Sequence, residues 1–204
     1  LHNKWYLTPN GDSLKLTTFN YYLSNFVLTD VNGNEYKQPE SYYLVREDKP
    51  ATKKFSIPGV PAGKYKKLRF LIGVDSARNV SGAQTGALDQ SNGMFWDWNT
   101  GYIMAMIEGV SPQSKMFNNL VIFHLGGFRK ADNVTRVVEL TLPETIEVTA
   151  SNNHSVHMKG DVMEWFKTPH LIDIKVLTAA VVSGGVPAVL ADNYTDMFTI
   201  DHVD

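Results

Sequence analysis

The sequence predicts an all-β fold: a single antiparallel β-sandwich of roughly eight to ten strands with one or two short helices. Two observations predict it. Short runs rich in β-branched and aromatic residues recur between turn signals along all 204 residues. Helix-like patterning is confined to brief stretches in the last third. No break in composition divides the chain, so residues 1–204 read as one domain, and 43% apolar content supplies a core.

Taken in order, Leu14 to Thr18 alternates as a strand, and Phe26 to Thr29 continues it after Ser24-Asn25. Asn32-Gly33-Asn34 is a hairpin turn, because Gly and Asn tolerate positive φ. Ser41 to Arg46 and Lys53 to Ile57 follow as strands. The cluster from Pro58 to Gly63 is a turn that no central strand could hold. Lys64 to Val74 is a long strand with Leu68, Phe70 and Ile72 on one face. A loop of roughly twenty residues then closes on Met94 to Trp98, a length that marks an ordered functional loop when both ends are apolar. Tyr102 to Ile107 and Leu120 to Phe123 are strands, the latter ending on His124. Val134 to Leu142 and Ile146 to Thr149 are strands split by Pro143, and Val156 to Lys159 is a short one. Asp161 caps a short helix through Phe166. His170 to Leu177 fits strand or helix, and Pro187 to Asp192 is the second helix.

Charge is nearly balanced, 19 basic against 21 acidic residues, with no basic block, so nothing points to nucleic acid. The longest apolar stretch, around Val176 to Val182, is too short to span a bilayer, so the chain is not read as transmembrane. The absence of cysteine removes disulfides, thiolate metal sites and cysteine nucleophiles, and leaves the redox compartment open. No nucleophile elbow, P-loop, zincin or dinucleotide motif occurs, so a non-enzymatic role is expected.

The chemistry-bearing residues gather around the central loop. Trp96 and Trp98 lie two apart and share a side if extended, with Asp97 facing the other way. Their ordinary role would be core packing. His124 is an imidazole that as a neutral ring can serve copper or zinc, and one imidazole alone defines no site. Met94, Met104 and Met106 are thioethers suited to Cu(I), though methionine usually fills cores. The oxygens of Asp75, Asn79, Asp89, Asn92 and Asp97 offer a less favoured calcium site, without the spacing of an EF-hand; Asx turns are the simpler reading. His154, His157, His170 and His202 are distant in sequence, and His154 and His157 read as a surface loop.

Several motifs share a pattern. They are Asn20 to Asn25, Ile72-Gly73-Val74-Asp75, the run Met94 to Tyr102, Ile107-Glu108-Gly109 and Phe123-His124-Leu125-Gly126-Gly127. Asp192-Asn193-Tyr194 and Met197-Phe198 complete it. Together they resemble the MbnP-like copper-binding protein family from about Trp5 to Phe198. The resemblance implies a periplasmic or cell-surface protein, lipid-anchored in some members. It also implies an additional N-terminal strand and export signal ahead of Leu1, and a di-haem peroxidase-like partner. In copper-binding relatives that partner's action leaves one tryptophan as kynurenine, whose amine joins histidines around the metal. Here the resemblance points to Trp96 or Trp98 with His124, and to Asp75 as a supporting residue. The pattern also departs from those relatives: no histidine occurs between His2 and His124, and Ile103 and Met104 follow Gly101-Tyr102 where relatives often carry a basic residue and a histidine.

Two other classes of function are expected alternatives. One is an extracellular binding module that uses the Asp75–Trp98 loop, with its paired tryptophans, for a sugar or peptide. The other is a hydrolase built on Asp97 or Glu108 as a carboxylate pair.

Overall fold

The structure is a computed structural model that describes residues 4–96, 101–181 and 185–204. It is the expected all-β sandwich. The strands are β1 (Trp5–Leu7), β2 (Ser13–Asp30), β3 (Glu35–Lys37), β4 (Tyr42–Arg46), β5 (Gly63–Ile72) and β6 (Phe95–Trp96). They continue as β7 (Gly101–Val110), β8 (Leu120–Gly126), β9 (Arg136–Val148), β10 (Val156–Gly160), β11 (Ala179–Ala180) and β12 (Phe198–Val203). The two α-helices are α1 (Ser76–Asn79) and α2 (Val186–Tyr194).

Strand β2 builds both leaves. Its first half, Lys15 to Tyr21, pairs antiparallel with β7, which passes on to β8 and β11. Its second half, Leu23 to Asp30, pairs with β5, which passes on to β9. The register slips between Ser24 and Val27, where Asn25 takes φ 55°. An asparagine tolerates that left-handed conformation, and the extra residue bends the strand. What reads in sequence as two strands is therefore one bulged strand that turns a corner. Its other edge carries β1, β4 and β3.

Aromatic rings fill the interior. Tyr21 meets Phe198, Phe198 meets Phe70, and Phe70 stacks on Phe26, with centroids 5.6, 5.3 and 5.2 Å apart. Trp165, fully buried, lies against Phe19 and Tyr194. The α2 tyrosine, Tyr194, donates its hydroxyl to the Val134 carbonyl and so ties the helix to the segment that leads into β9.

Several elements differ from expectation. Lys53 to Ile57 is not a strand. A 3-10 turn covers Pro50–Lys53, and Phe55 spends its apolar ring on Tyr43 (4.0 Å, stacked) instead of joining a ladder. Pro143 does not split β9. Thr141 pairs with Lys67 and Ile146 with Tyr65, so the proline sits in the out-of-register stretch between them, where no ladder N–H is required. Asp161 does cap its helix, accepting from the Met163 N–H, but Val162–Phe166 is a 3-10 helix. His170 to Leu177 is neither strand nor helix; Asp12 reaches it from across the fold, accepting from the Ile174 N–H at 3.0 Å. The C-terminal strand β12 was not anticipated. It pairs antiparallel with β10 as a separate ribbon.

Candidate functional site

The central strand β7 is almost wholly buried, and Glu108 is one of its two half-exposed residues. Register places Thr18 opposite Glu108 and Glu108 opposite Ile122; one step along, Asn20 faces Met106 and Met106 faces His124. Directly opposed residues share a face of the sheet. Thr18, Asn20, Met106, Glu108 and His124 therefore lie on one face. Phe19, Ile107 and Phe123 lie on the other, and there Phe19 meets Trp165 and Phe123 meets Phe166.

On the first face, His124 Nε2 lies 2.9 Å from Glu108 Oε1, a diagonal cross-strand pair. The Thr18 hydroxyl donates to the other carboxylate oxygen, Oε2, at 2.9 Å. An ionised carboxylate only accepts, so Nε2 carries the proton. In the neutral ring Nδ1 then keeps the lone pair. This is the arrangement in which a carboxylate orients a metal-binding imidazole.

Trp96 pairs with Gly101 at the start of β7 and is buried. Its indole covers Gly126: a Cβ built on Gly126 would lie 2.2 Å from the ring. Gly126 and His124 are two apart on β8, so they look out on the same face. The structure thus brings Trp96 onto the face of β8 that carries His124, over a position about 7 Å along the strand from it. Met106 stands across from His124 there, whereas the Met104 thioether accepts from the Val74 N–H at 3.2 Å.

Asp75 is not drawn to His124. It caps α1, accepting from the Arg78 N–H (3.1 Å), and also accepts from the Tyr42 hydroxyl (2.6 Å) and the Asn25 amide (3.2 Å). Burial works to raise its pKa, but the bonds from Tyr42, Arg78 and Asn25 outweigh it and hold the carboxyl below the usual range. The sequence Asp75-Ser76-Ala77-Arg78 carries an N-cap signal that accounts for this placement.

The other loop residues are structural as well. Asn79 is buried; its amide donates to the Val74 carbonyl (3.0 Å) and its oxygen accepts from the Tyr102 N–H (3.0 Å). Asp89 accepts from the Ser91 N–H (2.8 Å), and Asn92 donates to the Gly86 and Ala87 carbonyls. These oxygens are engaged in turns and backbone bonds, as the Asx-turn reading expects. Asp97 and Trp98 lie outside the described residues, so the predicted tryptophan pair is seen only at Trp96.

The separated histidines are partly reunited. His157 on β10 pairs directly with His202 on β12, and their rings stack at 4.1 Å. Only the unread alternation of Phe198 to Val203 could have signalled that pairing.

The MbnP family model matches residues 1–183. The chain belongs to the MbnP family. No curated protein matches it. Among solved structures it is similar to MbnP from Methylosinus trichosporium, at 15% identity and TM-score 0.58, over 95% of this chain and 89% of that one. At that identity the likeness speaks for the fold. For the copper implied by the family, the MbnP-type sandwich presented here offers one oriented imidazole, a facing thioether and an indole. These are soft and borderline donors of the right type, although an unmodified indole is not itself a ligand.

Proposed function

We propose that this MbnP-family chain is an exported, non-catalytic copper-binding protein whose metal is held on the Trp96–His124 face. The observation that carries the reading is the Thr18–Glu108–His124 chain, because it fixes the tautomer that leaves Nδ1 to donate. His124 supplies the imidazole, and Trp96 or Trp98, once oxidised to kynurenine, supplies an aromatic amine. Met106 is the thioether nearest in register. Copper held there is cargo, and the di-haem peroxidase-like partner expected for the family would catalyse the oxidation with dioxygen or two equivalents of peroxide, cleaving the indole C2–C3 bond before water releases C2 as formate. The site belongs in the periplasm or at the cell surface, with or without a lipid anchor. No helix among the described residues is long and apolar enough to cross a membrane.

The test is peptide mapping and metal analysis of protein from its native host, with His124→Ala beside it. A kynurenine at Trp96 or Trp98 and copper lost on His124→Ala support the proposal. Unmodified tryptophans and no His124-dependent copper, even after incubation with Cu(I), defeat it.

The binding-module reading retains one supporting observation. An open cavity of about 710 Å³ is lined by Ser76, Ala77, Val80, Phe128, Arg129 and Lys130, at the edge of the loop. Its two cations suit an anionic sugar or peptide. The buried Trp96 cannot serve as an aromatic platform for it.

A further inference from the structure

A second group of metal-type donors stands apart from the Trp96–His124 face, on the β10–β12 ribbon. His157, His202 and Asp204 each offer one ligand atom, and the three atoms lie within 4.8 Å of one another. His157 Nε2 is 2.9 Å from Asp204 Oδ2, and His202 Nε2 is 3.5 Å from Asp204 Oδ1. Both imidazoles therefore aim the same nitrogen at one carboxylate. Their rings are nearly parallel, 9° apart, because the two residues are directly opposed in the ladder.

The outer contacts favour metal donation. His202 Nδ1 is 2.9 Å from Asp201 Oδ2. Asp201 is paired in turn with the Lys159 ammonium. That ion pair keeps Asp201 an acceptor, so Nδ1 of His202 holds a proton, while the Nε2 protons that face Asp204 in the metal-free site are the ones an entering ion displaces. A tetrahedral ion with bonds of about 2.0–2.2 Å needs donors roughly 3.4 Å apart. Each lone pair lies in its ring plane, so the stacked rings must swing apart about χ for both to reach one ion. All three side chains are at least 46% exposed, so apart from the ring stack and the carboxylate contacts they have room in solvent to turn.

We infer that His157, His202 and Asp204 form a surface site for a divalent ion of the zinc or copper(II) class. Three protein ligands bind it and the open position goes to water or an external donor. The ion would clip β10 to β12, strands drawn from positions far apart in the chain. The site is independent of the copper proposed above, since it shares no residue with it.

Zn²⁺ alone is the probe, titrated calorimetrically into the intact chain and into His124→Ala, His157→Phe and His202→Ala. His157→Phe keeps a ring to stack on His202, and circular dichroism checks that each variant is folded. The expected result is one Zn²⁺ bound equally by the parent and His124→Ala. His157→Phe and His202→Ala weaken it by more than about 100-fold, as loss of a direct ligand should exceed the 10–100-fold effect of an outer partner. Asp201→Asn weakens it by a smaller factor. Unchanged Zn²⁺ affinity in both ribbon variants, or no binding by the parent at millimolar Zn²⁺, overturns the inference. Zn²⁺ lost in His124→Ala but kept in the ribbon variants overturns it too. Failure of the copper proposal alone leaves the Zn²⁺ result unaltered, so the two readings fail separately.

Discussion

Replacing Gly126 with alanine tests the placement of Trp96. The added Cβ would meet three atoms of the indole at 2.2, 2.7 and 3.0 Å. Ordinary carbon contacts begin at about 3.5 Å, so the ring must retreat by about 1.3 Å or β8 must move. Trp96 is only 6% exposed, which leaves little room for retreat. Overpacking of this kind costs about 1–3 kcal/mol. Removing a glycine returns about 0.4–1 kcal/mol through the unfolded chain, so the steric term wins. If the indole were expelled altogether, the loss of about 150–250 Å² of burial would cap the cost near 4–6 kcal/mol. A domain of this size loses about 2–4 °C of Tm per kcal/mol, so a net cost near 2 kcal/mol predicts a fall of about 4–8 °C. Thermal melts followed by circular dichroism measure it, with tryptophan emission shifting to the red as the indole becomes wetter. An unchanged Tm and unchanged emission would refute the placement of Trp96 over Gly126, and with it the shared face on which the copper proposal rests.

Four further outcomes are expected. Asn79→Ala leaves the Tyr102 N–H and the Val74 carbonyl without their partner in a buried place, and should cost about 2–3 kcal/mol in urea melts; a calcium role would instead appear as lost Ca²⁺ binding at unchanged stability. Tyr22→Phe removes a buried hydroxyl that has no hydrogen-bond partner among the described residues, and should be neutral or stabilise by about 1 kcal/mol; a clear loss would mean that the hydroxyl has a partner in solution. Asp75 has its pKa lowered in the fold, so its contribution is present above the unfolded value of about 3.9 and is lost as pH falls through the folded value. Acid unfolding of Asp75→Asn should therefore be shallower below about pH 4 than that of the parent, and parallel curves would contradict the assignment. Thr18→Val and Glu108→Gln should each weaken copper retention by about 10–100-fold while leaving Trp96 buried, and equal retention would remove Glu108 as the orienting group.

The strand-forming stretches were legible because alternation and turn chemistry are local properties. Leu14 to Thr18 and Phe26 to Thr29 were legible as β but not as one strand through Phe19 to Asn25, since a bulge depends on which neighbours claim each half of a strand. Phe55 misled because its apolar alternation looks the same whether the partner is a ladder or a single stacked tyrosine. The role of Gly126 depends on an indole thirty residues earlier in the chain, a pairing that spacing does not encode. Asp75 could have been recognised as a helix cap from Ser76, Ala77 and Arg78 alone. His157 and His202 were legible only through the register of two strands, one of which went unread. Family resemblance pointed to Trp96 with His124 but not to the Thr18 and Glu108 contacts that orient the ring.

The corner strand also sets a schedule. During synthesis β2 meets β3 and β4 almost at once, whereas its other edge, Lys15 to Tyr21, waits for β7. At ribosomal speed that wait of about ninety residues lasts roughly 5–20 s. For that time a long strand, half of it apolar, offers unpaired backbone groups to any neighbour, the condition under which nascent chains join edge to edge. A helper that holds the first thirty residues should raise the yield of this chain more than one that acts on the finished sandwich.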